Sequence, residues 1–151
     1  WALNSNNLSK MLPLVKDRVE KFSDIVPMLN FMFSGIHYLD KENFQHKKLD
    51  NQSICQILQY SSWCLDEIID WNRDNLYQEL NKISVSLDMK LKDFLFPLFI
   101  AMTGAASGPP LFDTMALLGP DMVRARIRSA LQAAGGVSKK QLKVWEKDFR
   151  N

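Results

Sequence analysis

Hydrophobic residues recur every three or four positions along almost the whole chain, which is the period of an amphipathic α-helix. Near the amino end they share one face of a long helix with Ser9 as its candidate cap, and Gly35 ends this region. No stretch shows sustained strand alternation. The pattern therefore predicts an all-α fold. The residues on the first face are Leu8, Met11, Leu12, Val15, Val19, Phe22, Val26 and Leu29.

Capping residues, prolines and glycines divide the rest of the chain into shorter helices. One helix is predicted to begin near Asp50, and the next to take Asp74 as its cap. The later boundaries are predicted at Lys90 and Gly104, Pro109 and Gly119, Pro120 and Gly135, and Ser138.

Polar residues over 36–49 interrupt the helical pattern and indicate a domain boundary. The expected architecture is a two-part helical bundle. Residues 1–38 would end a first subdomain, 39–136 would form the second, and 137–151 would add a tail helix.

The composition indicates a folded globular chain, with 46% hydrophobic and 24% charged residues. The formal net charge of +2 is nearly neutral, so charge alone does not indicate a nucleic-acid partner. Cys55 and Cys64 have the spacing of neither a zinc pair nor a short disulfide loop, and we expect buried, reduced thiols. The apolar runs are too short to span a bilayer. The start at Trp1, without a signal sequence, leads us to expect a fragment of a longer protein.

Catalytic signatures are missing from the sequence. It has no P-loop, no dinucleotide-binding glycine pattern, no Gly-x-Ser-x-Gly and no His-Glu-x-x-His. His37 and His46 lie in the polar stretch and are interpreted as exposed loop histidines. No catalytic or metal-binding residue is predicted, and a stand-alone enzyme is the least favoured class.

Basic residues cluster in three places, and two interpretations of them stay open. They are either charges that keep the protein soluble or contacts to nucleic-acid phosphates that weaken with salt. When charge alone is considered, the first interpretation is favoured. The clusters are Lys90 and Lys92 before an apolar helix, Arg124, Arg126 and Arg128 on a later helix, and Lys139, Lys143 and Lys147 on one face of the tail.

A spaced pattern in the second half of the chain resembles a known family. Its order and spacing resemble the helical anticodon-binding region that closes bacterial glutamyl-tRNA synthetases. The pattern is Phe96-Pro97-Leu98-Phe99-Ile100-Ala101-Met102-Thr103-Gly104, then Gly108-Pro109-Pro110-Leu111-Phe112, then Leu117-Leu118-Gly119, and finally Arg126-Ile127-x-x-Ala130-Leu131.

The resemblance implies roles for individual residues. Arg18 matches the arginine that faces the last anticodon base, where glutamate tRNA has C and glutamine tRNA has G. Gly108, Pro109 and Leu111 fall in the loop that packs on the first anticodon base. Phe99 stands where the family usually has an arginine for the middle base, and the change removes a charge and five donors. Phe99 either stacks on a base or packs in the core.

The resemblance implies a tRNA anticodon-binding module of a glutamate–tRNA ligase, without activity of its own. The family's ATP-binding signatures belong to an N-terminal catalytic domain, so ATP and magnesium would be bound there and no cofactor here. We expect glutamate tRNA as the partner, with phosphate contacts from Lys90, Lys92, Arg124 and Arg126. We also expect a monomer in the cytoplasm. The alternative is a helical protein-docking domain that uses the Trp145 tail helix as a groove ligand or receptor.

Overall fold

The computed structural model describes residues 39–106 and 108–150. Within these ranges a short 3-10 helix, η1 (Lys41–Phe44), precedes six α-helices and no strand occurs, which confirms the all-α fold. Residues 1–38 lie outside the described part, so the division into two subdomains stays a prediction. The helices are α1 (Asn51–Asp66), α2 (Arg73–Ser86), α3 (Leu91–Thr103), α4 (Leu111–Leu118), α5 (Pro120–Ala133) and α6 (Lys139–Arg150).

Local chemistry visible in the sequence sets most helix ends. The Asp50 carboxylate accepts from the backbone N–H of Ser53 at 2.8 Å and caps α1. Gly104 ends α3 with a φ of 77°, a left-handed conformation that glycine adopts without strain. The Ser138 hydroxyl accepts from the N–H of Gln141 at 3.1 Å and so caps α6, as predicted.

The start of α2 differs from the prediction. Asn72 is the cap, and its side-chain oxygen accepts from the N–H of Asn75 at 2.9 Å. The prediction of Asp74 as the cap is therefore wrong. Asn and Asp are about equally good caps, so the sequence did not distinguish two candidates two positions apart.

Helix α1 forms the centre of the core. It packs against α2, α3, α5 and α6. Ile54, Ile57 and Leu58 are each 0% exposed, because their three-four spacing keeps them on faces that neighbouring helices cover. Cys55 and Cys64 are buried and free on the same helix, which confirms the prediction of buried, reduced thiols.

The polar stretch before α1 packs more closely on the body than its composition suggests. Phe44 at the end of η1 is 1% exposed and belongs to the core. A reciprocal cap forms η1: Asp40 accepts from the N–H of Glu42, and its own N–H donates to Asn43, both at 2.9 Å. Residues 39–49 are therefore attached to the helical body that they precede.

The tail helix α6 is held on α1 by aromatic contacts. Trp145 is 5% exposed and meets the Tyr60 ring edge-on at a centroid distance of 6.3 Å. Phe149 lies 5.4 Å from Tyr60 and 5.5 Å from Trp63. The Tyr60 hydroxyl donates to Asp148 at 2.8 Å. The apolar face of α6 is thus occupied within the chain.

Alkaline pH is expected to destabilise the fold through buried acids. Burial raises the pKa of the Cys64 thiol to about 12 and also raises the pKa of Cys55 and Tyr60. The unfolded chain loses the Cys64 proton above about pH 9, while the folded chain keeps it, so stability falls as pH rises from there. The expected slope from Cys64 is up to about 1.4 kcal/mol per pH unit. Urea unfolding of Cys64→Ala between pH 9 and 10.5 should show a shallower slope; an unchanged slope would contradict the assignment.

Candidate nucleic-acid interface

A surface cavity of about 580 Å³ opens between the first turns of α3, the segment before α1 and the loop after α3. Its walls are mostly apolar, and charged groups stand around it. Among the residues that line it are His46, Lys92, Leu95, Phe96, Phe99 and Gly108.

The aromatic wall follows from helix geometry. Lys92, Phe96 and Phe99 are four and then three residues apart on α3, so they share one face. Phe96 and Phe99 are half-buried, which leaves part of each ring open to the cavity. Phe94 and Leu98, on the other side of the same helix, are 0% exposed in the core. Phe99 therefore lies at the edge of the core rather than inside it.

His46 closes the cavity from the segment before α1. Its ring lies 4.7 Å from the Phe96 ring, tilted by 55°. Its Nδ1 accepts from the backbone N–H of Lys48 at 3.0 Å. In the neutral ring the hydrogen is therefore on Nε2, which lies 3.7 Å from Asp93 Oδ1. The side chain is only 19% exposed, so the prediction of an exposed loop histidine is wrong for His46.

Asp93 connects this segment to α3. One carboxylate oxygen faces His46, and the other lies 3.8 Å from the ammonium of Lys48. The carboxylate is 17% exposed, whereas Lys48 is 63% exposed and keeps most of its surface in solvent. The pair positions Lys48 beside the aromatic wall, together with Lys92 on the rim.

The loop after α3 is organised by Thr103. Its hydroxyl donates to the Phe99 carbonyl at 2.8 Å and accepts from the N–H of Ala105 at 3.2 Å. Of the three predicted loop contacts, Gly108 lines the cavity, whereas the other two, Pro109 and Leu111, are buried. The buried pair therefore anchors the loop, and Gly108 is the member of the three that borders the cavity.

The predicted basic contacts fall in different environments. Lys90 and Lys92 are exposed at the start of α3. Arg124 is 40% exposed and is held by carboxylates, with Nε 2.6 Å from Asp66 and Nη1 3.4 Å from Asp121. Among these predicted contacts, only the two lysines therefore present their charge to solvent, and Lys92 is the one that lines the cavity.

Arg126 is a correction to the sequence interpretation. It is 1% exposed, and its Nη1 donates to the backbone carbonyl of Met102 in the last turn of α3. Burial lowers its pKa to about 10, so it remains charged at neutral pH. A guanidinium enclosed in this way does not reach a phosphate at the surface. Its role is to donate a hydrogen bond to a carbonyl at the end of α3.

Arg18 lies outside the described residues, and its predicted place opposite the last anticodon base stays a prediction. Sequence reasoning missed His46 and Phe96 as cavity residues. The spacing from Lys92 through Phe96 to Phe99 was a usable signal for the aromatic face. Nothing local indicated His46, because its contacts to α3 are distant in sequence.

Two further observations limit the kinds of site present. In the described ranges, no cluster of three or more His, Cys, Asp or Glu side chains could hold a metal ion. None of the helices described is long and apolar enough to cross a membrane.

An aromatic wall beside a lysine rim is the arrangement with which proteins bind single-stranded nucleic acid. The family model described as "anticodon binding domain" matches residues 1–131. The chain belongs to this anticodon-binding domain family.

Relatives agree with this membership. The chain is 40% identical over 149 residues to a glutamate–tRNA ligase of Marinobacter nauticus, covering 99% of this chain and 30% of that protein. It is 42% identical over 147 residues to the glutamate–tRNA ligase of Pseudomonas aeruginosa, covering 97% and 30%. The resemblance seen in the sequence is thereby confirmed, and the chain spans about 30% of the length of these relatives.

A solved structure shares the fold. A glutamate tRNA ligase from Elizabethkingia meningosepticum superposes with a TM-score of 0.76 at 16% sequence identity. The match covers 88% of this chain and 26% of that one. At this identity the likeness supports the helical architecture alone.

Proposed function

We propose that this chain binds the anticodon of glutamate tRNA on behalf of a glutamate–tRNA ligase. The ligase chemistry, with ATP and magnesium, would take place in a catalytic domain of a longer parent protein. The parent would act as a monomer in the cytoplasm, and the chain would contribute recognition and no reaction step.

The aromatic cavity at the start of α3 carries this proposal. Its volume of about 580 Å³ lies within the range of roughly 300–1,000 Å³ common for pockets that enclose small ligands. Unpaired anticodon bases can be splayed out of their loop and stacked on aromatic side chains. Phe96, Phe99 and His46 provide such a surface, and Lys92 stands where the adjoining phosphate would lie.

The remaining predicted residues would contribute in different ways. Lys90 would join Lys92 in contacting phosphates at the rim. Gly108 would contribute backbone surface, while Pro109 and Leu111 would hold the loop in shape. Arg124 would have to exchange Asp66 for a phosphate, so we assign it the smallest share of the contacts.

A titration tests the proposal. The chain is titrated with unmodified glutamate tRNA and with single-base anticodon variants, each at two salt concentrations. We expect binding that weakens with salt, with a slope of about 0.7 log units per phosphate engaged. We also expect a preference for the glutamate anticodon at both salt concentrations. Binding that ignores the anticodon, or no binding to any tRNA, would contradict the proposal.

Phe99→Ala is expected to weaken tRNA binding about tenfold. Stacking of a base on an aromatic side chain is worth roughly 1–3 kcal/mol, and Phe96 would keep part of the wall in place. Tyr77→Ala is the matched control, because Tyr77 is 40% exposed and packs on Phe112, outside the cavity lining. The measurement is a fluorescence titration of both variants. Equal losses in the two would mean that Phe99 does not stack on RNA.

The docking-domain alternative loses its main support. It required the aromatic face of the Trp145 helix to be available to a partner. Trp145 is 5% exposed and packs against Tyr60, and Phe149 also packs on α1. The tail helix would have to leave its own chain before it could act as a groove ligand.

A further inference from the structure

Helix α6 turns its aromatic face to α1 and a row of lysines to solvent. Lys139, Lys143 and Lys147 are exposed and follow one another by four residues on the face opposite Trp145. Successive members are about 6 Å apart along the axis, given the helix rise per residue. Because the aromatic contacts fix the helix, the direction of this row is fixed as well.

The row forms no ion pair within the part of the chain that the structure describes, and Glu146, which lines the same hollow as Lys143 and Lys147, is paired with Arg150 at 3.5 Å. None of the three lysines lies within 4.0 Å of a carboxylate there. Arg73 and Arg124, in contrast, are each paired with carboxylates. Like charges four residues apart on a helix cost a few tenths of a kcal/mol per pair. An anionic partner would remove this repulsion.

The segment before α1 lies near the start of α6, on the Trp145 side of that helix. Lys41 lines a cavity of about 380 Å³ together with Ser138 and Gln141 at the start of α6. Lys41 also begins η1, which packs against α3. The same segment continues to Lys48, beside Asp93 at the cavity wall. The segment from Lys41 to Lys48 thus connects the Trp145 side of α6 with the site where we place the anticodon.

The carboxyl end of α1 is acidic. Glu67, Asp70 and Glu79 line a cavity there; Arg150 lies 3.3 Å from Glu67, and Lys82 lies 3.0 Å from Glu79. A polyanion approaching the module is attracted to the exposed lysine row of α6 and less to this end, where carboxylates and cations are paired.

We propose that the outer face of α6 is a phosphate-binding surface for the backbone of the same tRNA whose anticodon enters the aromatic cavity. This inference rests on the proposed function and adds a second contact region. It lies beyond residues 1–131, the part that the anticodon-binding family model matches. The surface supplies affinity without sequence information, since phosphate contacts are alike for every tRNA.

The test compares two triple variants of equal net charge. One carries Lys139→Gln, Lys143→Gln and Lys147→Gln, and its matched control carries Arg73→Gln, Lys82→Gln and Arg128→Gln. Glutamine keeps the length and helix propensity close to those of the replaced residues. Both are titrated with glutamate tRNA and an anticodon variant over a range of salt, after circular dichroism has verified their helix content.

The α6 variant should lose about a hundredfold in affinity near 0.1 M salt, equally for both tRNAs. Its salt slope should fall by roughly 2, the contribution of three phosphates. An unchanged slope, or an equal fall in the control, would overturn the proposal. Binding to phosphatidylglycerol vesicles that only the α6 variant loses, with an unchanged tRNA slope, would assign the surface to a membrane and also overturn it.

If the chain does not recognise the anticodon, the same titrations give a different result. The unsubstituted chain would then bind all anticodon variants equally. A slope difference between the α6 variant and its control would still support the phosphate-binding surface in that case.

Discussion

Replacing Arg126 with alanine is expected to lower the free energy of unfolding by roughly 3 kcal/mol. The guanidinium is 1% exposed and donates to the Met102 carbonyl at the end of α3. A buried carbonyl left without a partner costs roughly 1–3 kcal/mol, and the cavity left by truncation adds a cost of similar order. Truncation also removes the cost of burying the charge, which the lowered pKa of about 10 reflects, and this gain partly offsets the two losses. Arg126→Met, which keeps most of the volume and removes the charge, should therefore cost only about 1 kcal/mol.

Urea unfolding of the two variants at neutral pH distinguishes a buried, structural Arg126 from a surface arginine that binds phosphate. A phosphate-binding arginine at the surface would change stability by no more than about 0.5 kcal/mol when truncated, and its loss would reduce the salt slope of tRNA binding. We expect the reverse for Arg126: a large loss of stability in Arg126→Ala and a salt slope close to that of the unsubstituted chain. Near-normal stability of Arg126→Ala would contradict its buried position.

Arg18→Ala is expected to remove roughly 1–3 kcal/mol of discrimination at the last anticodon base. The family resemblance puts Arg18 opposite that base. A planar guanidinium donates to acceptors at fixed angles, which suits the edge of C and fits the larger, differently patterned edge of G poorly. The measurement is the binding of tRNAs that end their anticodon in C or in G, with charging by the parent ligase as a second readout.

Lys90→Ala is the control for Arg18. Lys90 is exposed at the start of α3, so its loss should weaken binding of both tRNAs by the same factor. If Arg18→Ala also weakens both equally, then Arg18 contacts phosphate or supports the scaffold. If it changes neither, the role taken from the family does not apply at this position.

Local signals in the sequence predicted the helices well. The period of three and four, the Asp50 cap and the glycine ends depend on residues within one turn of each other, so they can be recognised without a structure. Asn72 and Asp74 show the limit of this reasoning, because both are chemically suitable caps. Phe44 shows another limit: a single apolar residue in a polar segment gave no sign of its burial in the core.

The candidate site was only partly predictable, because its contacts join distant segments. Phe99 was identified from the family pattern, and its position on the cavity wall depends on the helix face that it shares with Phe96. The contact between His46 and Phe96 required the fold. Arg126 was assigned to phosphate because a charged residue is rarely buried, and only the packing of α5 against α3 reveals that it is enclosed.

The most direct test of anticodon binding at the aromatic cavity uses anticodon stem-loops that lack one base at a time. We expect the chain to lose about tenfold in affinity when one particular anticodon base is removed, and little when loop bases outside the anticodon are removed. In the Phe99→Ala chain the loss for that anticodon base should shrink or disappear, because the two changes remove the same stacking contact. Equal affinity for all the abasic stem-loops, or an undiminished loss in Phe99→Ala, would contradict the account.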